Sequence, residues 1–399
     1  MSSDTESRHP DTPRAPRLPW ITTTAAVGVA LLTLTFTLAW PQEMYQHLAL
    51  LTEVLSDIQK DYVVEVDSTR LMHDATVGML THLDGDNEVI DRAHASGDRA
   101  GNADVGLVVT RRKDNLTVVT STDGSPARRA GLAAGDQIEK IDGVDTRMMD
   151  NSEAADRLRG RLGTTVAVTV MRRGWPEPRD ITLTRERVNG PALSSRDLGN
   201  GLLLVRVHRM TAGLGDALRR EVAASPRAGL VLDLRDVSGG DISDAVNLVQ
   251  PLLDPGTEVA YATGRQAGGR EEFRTSTSGA RLEVPTAVLV NTGTSGAAEI
   301  VAGALRDWRR AVLVGEHTFG VADLTKNIQL SDGSLVHLTV GRYYTPKGQA
   351  IDRAGVAPDF DVASETGPST RDEQLERATD VLKIKRVIET HAVNTEPAR

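Results

Sequence analysis

The chain has 399 residues, 39% of them hydrophobic, enough for two compact domains and a tether, because single cores seldom grow past a few hundred residues. Its 46 Lys and Arg face 55 Asp and Glu, a formal charge of -9, so there is no basic footprint for a phosphate backbone and nucleic acid is not an expected partner. The absence of cysteine excludes disulfide staples, zinc-thiolate sites and a cysteine nucleophile.

Residues 1–19, rich in Ser, Thr, Pro and Arg, read as a disordered cytoplasmic tail. The uncharged run 21–39, bracketed by Trp20 and Trp40, has the length and interfacial aromatics of a single-pass transmembrane helix, an anchor over 20–40. Arg8, Arg14 and Arg17 precede it and Glu43 follows, so the positive-inside tendency exports everything after Trp40. A signal peptide cleaved near 37–39 is the competing reading, and the apolar run is long for one.

In the segment 41–98, Leu48, Leu51, Val54, Leu55 and Ile58, then Leu71, Ala75, Met79 and Leu80, recur at helical spacing and predict two short amphipathic helices joined by an extended or turn-like 62–67. The polar stretch 84–104 offers nothing for a core and marks a domain boundary. From 99 to 188, β-branched runs at 106–109, 116–119, 137–141, 165–171 and 181–184 predict a small, mostly β module, with one helix over 152–162 capped by Ser152. From 189 to 365, strands at 202–207, 229–234, 287–290 and 312–315 alternate with helices at 214–222, 244–253 and 297–305, and a hairpin turns at 331–333. Buried strands separated by helices imply an α/β layered core with a largely parallel sheet. The segment 366–399 holds a terminal amphipathic helix over 372–388.

The β module carries Val105-Gly106-Leu107-Val108, then Ser125-Pro126-Ala127, then 130–138 reading AGLAAGDQI, and Ile141-Asp142-Gly143. This ordered series resembles a bacterial PDZ domain, which implies that the glycine loop presents N–H groups to a terminal carboxylate while the adjoining strand edge accepts an apolar tail. The α/β part carries 229–235 (GLVLDLR) leading to Gly239-Gly240, 288–291 (VLVN), 299–305 (EIVAGAL), Val314-Gly315-Glu316, Thr318-Phe319-Gly320, 331–334 (SDGS), 342–346 (RYYTP), Gly348 and Pro358-Asp359. With Asp61-Tyr62-Val63 and Gly78-Met79-Leu80 these blocks resemble, in order and spacing, the carboxyl-terminal processing peptidases, or tail-specific proteases. That resemblance implies a ClpP/crotonase-like α/β core, a PDZ domain and a serine/lysine active site.

The departures fall on the chemistry. Where that family has a nucleophilic serine three before the glutamate, this chain has Gly296. The lysine after Thr-Phe-Gly is Val321, and the glutamine four further on, which orients it, is Thr325. A hydroxyl attacks a peptide carbonyl only if a base takes its proton, and neither glycine nor valine supplies a part. The backbone of Gly239, Gly240 and Ala297 is expected to keep an oxyanion-like cradle.

Ser295 is the fallback nucleophile, but the motifs on both sides match without gaps, and one helical residue turns a side chain by about 100°. Thr294 or Ser295 reads instead as a helix cap, Lys326 as facing away from the site, His317 as a solvated loop residue, and Asp233 with Arg235 as structural partners. No metal-ligand spacing or phosphate loop is present, so neither metal nor cofactor is expected. Two readings follow. One is a non-catalytic pseudoenzyme of the bacterial cell envelope, anchored in the inner (plasma) membrane with extracytoplasmic domains, binding C-terminal tails of envelope proteins or a peptidase partner. The other is an active serine-type endopeptidase built around Ser295. Homo-oligomerisation is left open.

Overall fold

In the computed structural model the described residues are 42–83, 87–90, 92, 102–112, 115–147, 149, 151–187, 190–224, 228–265, 269–364 and 371–394. The tail and anchor expected over 1–40 lie outside them. Among the described residues no helix is long and apolar enough to cross a membrane. The chain divides into two compact units, Met1–Ala75 and Thr76–Arg399.

The first unit contains α1 (Gln42–Asp61) and the start of α2 (Ser68–Thr81), the two helices the spacing predicts. Asp67 starts α2 by accepting the Thr69 N–H at 2.8 Å. Tyr45, Leu48, Leu51 and Val54 of α1 stand exposed.

In the second unit, β1 (Glu88–Ile90) comes from the stretch read as having nothing for a core. Val89 is buried there, and the strand pairs with residues 335–337. The PDZ-like module follows: β2 (Leu107–Arg112), β3 (Asn115–Ser121), α3 (Pro126–Arg129), β4 (Gln137–Ile141), β5 (Val144–Asp145), α4 (Asn151–Leu158), β6 (Thr165–Met171) and β7 (Arg179–Thr184). Its antiparallel sheet runs β2-β3-β4-β6-β7, with β5 beside β4, so β2 is an edge strand. The inward residues Leu116, Val118, Ile138, Ile141, Val166, Val168 and Val170 form its core.

Helix α4 corrects the sequence reading. It begins at Asn151, with the Ser152 N–H inside the first turn and bonded to Glu88 Oε2 at 3.0 Å, so Ser152 is not the cap. It stops at Leu158, short of 162, because the Arg185 guanidinium takes the carbonyls of Leu158 and Arg157 at 3.1 and 2.6 Å.

The α/β core contains β8 (Leu193–Gly199), β9 (Leu202–Val207), α5 (Leu214–Ala223), β10 (Gly229–Asp233), α6 (Ile242–Val249), β11 (Glu258–Gly264), β12 (Arg270–Arg274), β13 (Thr286–Val290), α7 (Ala297–Asp307), β14 (Ala311–Gly315), β15 (Asp323–Gln329), β16 (Leu335–Tyr344), β17 (Phe360–Asp361) and α8 (Glu373–Asn394). One sheet runs β17-β14-β13-β10-β9-β8; its strands are parallel except terminal β8, which is antiparallel to β9. Every residue of β10 and β13 is buried, as a sheet covered on both faces requires. Ala378 and Leu382 of α8 pack on one face against Val231 and Leu289, while α7 lies on the other, next to the antiparallel sheet β1-β16-β11-β12. Helix α6 starts at Ile242 rather than 244 because Asp241 and Asp244 form a capping box ahead of it.

Candidate active site

The turn between β13 and α7 is set by its own polar side chains. Thr294 Oγ1 donates to the Leu234 carbonyl at 2.9 Å and accepts the Asn291 N–H at 3.0 Å, and the Ser295 N–H bonds the Val237 carbonyl at 2.9 Å. Neither Thr294 nor Ser295 caps α7. The cap position belongs to Gly296, at φ 64 and ψ -129, and a side chain is absent there. This left-handed backbone suits glycine and strains any other residue. Space is tight as well, since a Cβ at Gly296 would meet the Gly239 carbonyl oxygen at 3.2 Å, so that backbone would have to give slightly.

Gly296 and Val321 are joined directly, the Gly296 N–H donating to the Val321 carbonyl at 2.8 Å. The two positions that the resemblance aligns with the family's nucleophile and base therefore meet through their backbones. Glu299, one turn into α7 and fully buried, clamps the same place. Its carboxylate accepts Gly320 N–H at 2.7 Å, Val321 N–H at 2.9 Å, Gly296 N–H at 3.2 Å and the Thr318 hydroxyl. Burial pushes this carboxyl up to about 7, against the pull of those four donors. The sequence showed Glu299 only as a motif letter, because its partners arrive from a loop some twenty positions away.

A cavity of about 540 Å³ opens in front of this junction. Ser295, Gly296, Ala297, Val321 and Thr325 line it, with Gly239 and Gly240 opposite and Ile300, His337 and Tyr343 around them. The oxyanion-like cradle needs correction at one member. The Ala297 N–H is taken by the Gly239 carbonyl at 3.3 Å, so it faces an acceptor rather than the cavity. Gly239 and Gly240 both hold positive φ, and a Cβ on Gly240 would come within 2.4 Å of Met210 Cβ.

Val108, Val109 and Thr110 of β2 also line the cavity. Side chains alternate along a strand, so three consecutive lining residues mean that the strand's edge, not one face, borders the space. The loop before β2 is less open than the sequence suggested. The Gly106 N–H donates to Asp104 Oδ1 at 2.9 Å and the Val105 carbonyl accepts from Ala127 at 3.0 Å. The Thr122 N–H bonds the Gly106 carbonyl at 2.8 Å, which makes 106/122 a bonded pair and turns the Leu107 N–H outward. Leu107, rather than Gly106, is thus the loop's outward donor.

Asp236 fixes the PDZ-like module over the site. It adopts φ 61, a left-handed conformation, and is held by Asn291 through two hydrogen bonds of 2.9 Å. From β3, Thr120 Oγ1 donates to its carbonyl at 3.2 Å, and Arg128 of α3 pairs with its carboxylate. Arg112 at the end of β2 donates to the Phe319 carbonyl and stacks over its ring at 3.9 Å. Sequence reasoning missed Asp236 and Arg112; a charged residue just after Arg235 was the available signal for the first.

The remaining candidates sit apart. His317 and Lys326 are exposed and do not line the cavity. Asp233 accepts from Arg235 at 2.9 and 2.8 Å and from Arg206 at 2.7 Å, while Arg235 reaches Asp372 before α8 at 2.9 Å. Burial acts to raise Asp233, and the two guanidinium groups outweigh it and keep its carboxyl below the usual range.

Residues 201–362 match peptidase family S41 and residues 117–172 match the PDZ domain. A carboxy-terminal-processing protease of Bartonella bacilliformis is 32% identical over 329 residues, spanning 80% of this chain and 76% of that protein. A carboxyl-terminal-processing protease of Synechocystis is 35% identical over 295 residues, 70% of this chain and 68% of that one. Among solved structures, a photosystem II D1 C-terminal processing protease superposes with a TM-score of 0.68 at 29% identity, covering 84% of this chain and 96% of that chain.

Proposed function

Because the chain belongs to the carboxyl-terminal processing peptidases of family S41, with their PDZ domain, we propose that it is a member that grips protein tails without cutting them. The observation that carries this reading is the junction of Gly296 with Val321, where backbone meets backbone at 2.8 Å and no hydroxyl or amine stands at the family's nucleophile and base positions. Serine/lysine catalysis needs a hydroxyl and a neutral amine in contact. Thr325, at the orienting position, borders the cavity with nothing of that kind to orient.

Binding outlasts cleavage because its parts are separate. An extended tail adds as a strand to β2 at the edge of its sheet, starting from the outward Leu107 N–H, and its apolar side chains enter the cavity beside Val108, Ile300 and Val321. The uncharged run 21–39 supports an anchored, extracytoplasmic setting in a bacterial envelope, where the tails of envelope proteins or of a peptidase partner are the ligands. Fluorescence anisotropy with a labelled peptide ending in apolar residues tests this. The free-carboxylate peptide is expected to bind at least about tenfold tighter than its C-terminal amide, and equal affinities would sink the tail-binding reading.

The second reading, an endopeptidase centred on Ser295, is favoured by one fact, that Ser295 lines the same cavity. Its backbone N–H is tied to Val237 before the helix begins, one residue ahead of the elbow.

A further inference from the structure

A second constellation lies on the PDZ–core seam, and none of its members lines the cavity at Gly296. Ser194 Oγ on β8 stands 2.7 Å from His208 Nε2, and the other ring nitrogen, Nδ1, stands 3.3 Å from Asp123 Oδ2. The β8–β9 ladder places the first two. Ser194 pairs opposite Arg206, and the His208 N–H closes the ladder on the Ala192 carbonyl at 2.9 Å. Positions 194, 206 and 208 therefore share one face of the sheet, with the ring diagonal to the hydroxyl. Asp123 arrives from the turn after β3 in the PDZ domain.

The proton order follows from the groups themselves. A carboxylate only accepts, so the Asp123 charge 3.3 Å from Nδ1 favours the tautomer with the ring proton there, which leaves Nε2 to accept from the Ser194 hydroxyl. Asp123 also accepts Arg206 Nε at 2.6 Å, and Arg128 lies 3.8 Å from its other oxygen. Burial acts to raise this carboxyl, and the Arg206 contacts outweigh it and keep it ionised. The side chains are half-buried, His208 exposing 24% and Asp123 32%, so solvent-borne molecules reach them. One oxyanion donor is also at hand. Since 192/208 is a bonded pair, 194/206 is one too, and the Ser195 N–H points to the outer side of β8, the sheet's terminal strand.

We infer that Ser194, His208 and Asp123 form a second nucleophilic site, which takes acyl groups from small esters. Ser194 Oγ attacks the ester carbonyl as its proton passes to His208 Nε2. The carbonyl bond to the alcohol oxygen then breaks, and the alcohol leaves with that proton. Water, giving a proton to the same nitrogen, cleaves the acyl-serine; the carboxylic acid departs and the hydroxyl is restored. The open strand edge suits compact activated esters rather than folded peptide chains. Because Asp123 belongs to the PDZ domain, the site is complete only while that domain is seated on the core.

The test uses the full chain with 4-nitrophenyl acetate and, separately, a fluorophosphonate probe mapped by mass spectrometry. Probe attachment at Ser194 is expected. Ser194→Ala and His208→Gln each lower ester turnover at least about tenfold with the melting temperature held, and Asp123→Asn lowers it as well, while Ser276→Ala leaves it unchanged. Turnover that survives His208→Gln, or a probe that attaches to the folded chain at Ser194 no faster than to the unfolded chain, overturns the proposal.

Discussion

Gly296, which the resemblance aligns with the family's nucleophilic serine, holds φ 64 and ψ -129. Gly296→Ser imposes that left-handed strain and crowds the Gly239 carbonyl, so it is expected to cost about 1–3 kcal/mol in denaturant unfolding. It also restores no peptide turnover, since Val321 supplies no base. Glu299 sets a pH dependence at the same spot. Its folded carboxyl sits near 7, above the ordinary value of 4.5, so its contribution is fully present at low pH and is lost as pH rises through 7. Stability is expected to fall by up to about 3 kcal/mol between about pH 4.5 and 7.5, and Glu299→Gln should flatten that slope in pH-dependent melts. The alignment of Gly296 rests on Asn291 and Glu299, which match on either side without gaps, and that of Val321 and Thr325 on the preceding Thr318-Phe319-Gly320. The Ala297 amide was not legible in the sequence, since its acceptor, the Gly239 carbonyl, comes from a loop far off along the chain.

Among the elements, β2 and the loop before it have the largest share in the proposed binding. Gly106 holds φ 76, and a Cβ there would lie 2.2 Å from Ser125 Cβ. Gly106→Ala is therefore expected to destabilise the chain by about 2–4 kcal/mol and to displace the start of β2, measured by denaturant unfolding and by loss of peptide anisotropy. Unchanged peptide affinity in a folded variant would remove this loop from the binding site. Strand and helix existence followed from periodicity, since β10 and β13 are continuous apolar runs and α7 is bounded by its motif. Element ends were harder to read. Arg185 terminates α4 from the far side of the module, and β1 forms only because β16 offers an edge to Val89, so neither leaves a local trace.

At the scale of the whole second unit, the PDZ domain and the S41 core meet through Arg112, Thr120 and Arg128 on one side and Phe319 and Asp236 on the other. Asp236→Ala removes the carboxylate that Arg128 and Asn291 share, so the domain should sit more loosely over the cavity. Hydrogen exchange is expected to quicken in 105–121 and 291–296 while the core strands 229–233 and 286–290 keep their protection; an unchanged pattern would show that the seam does not depend on Asp236. Two domains in this order were legible from motif blocks. The cavity was not, because β2 and the 295–297 turn that border it are nearly two hundred residues apart.

The central claim, that the family's cleft binds without cutting, is met most directly by incubating the full chain with an unfolded protein ending in an apolar tail and following its intact mass over time. The substrate is expected to be recovered whole, with no fragments, under conditions in which it is bound. Internal or tail-proximal fragments that disappear in Ser295→Ala would contradict that claim and establish the displaced endopeptidase instead.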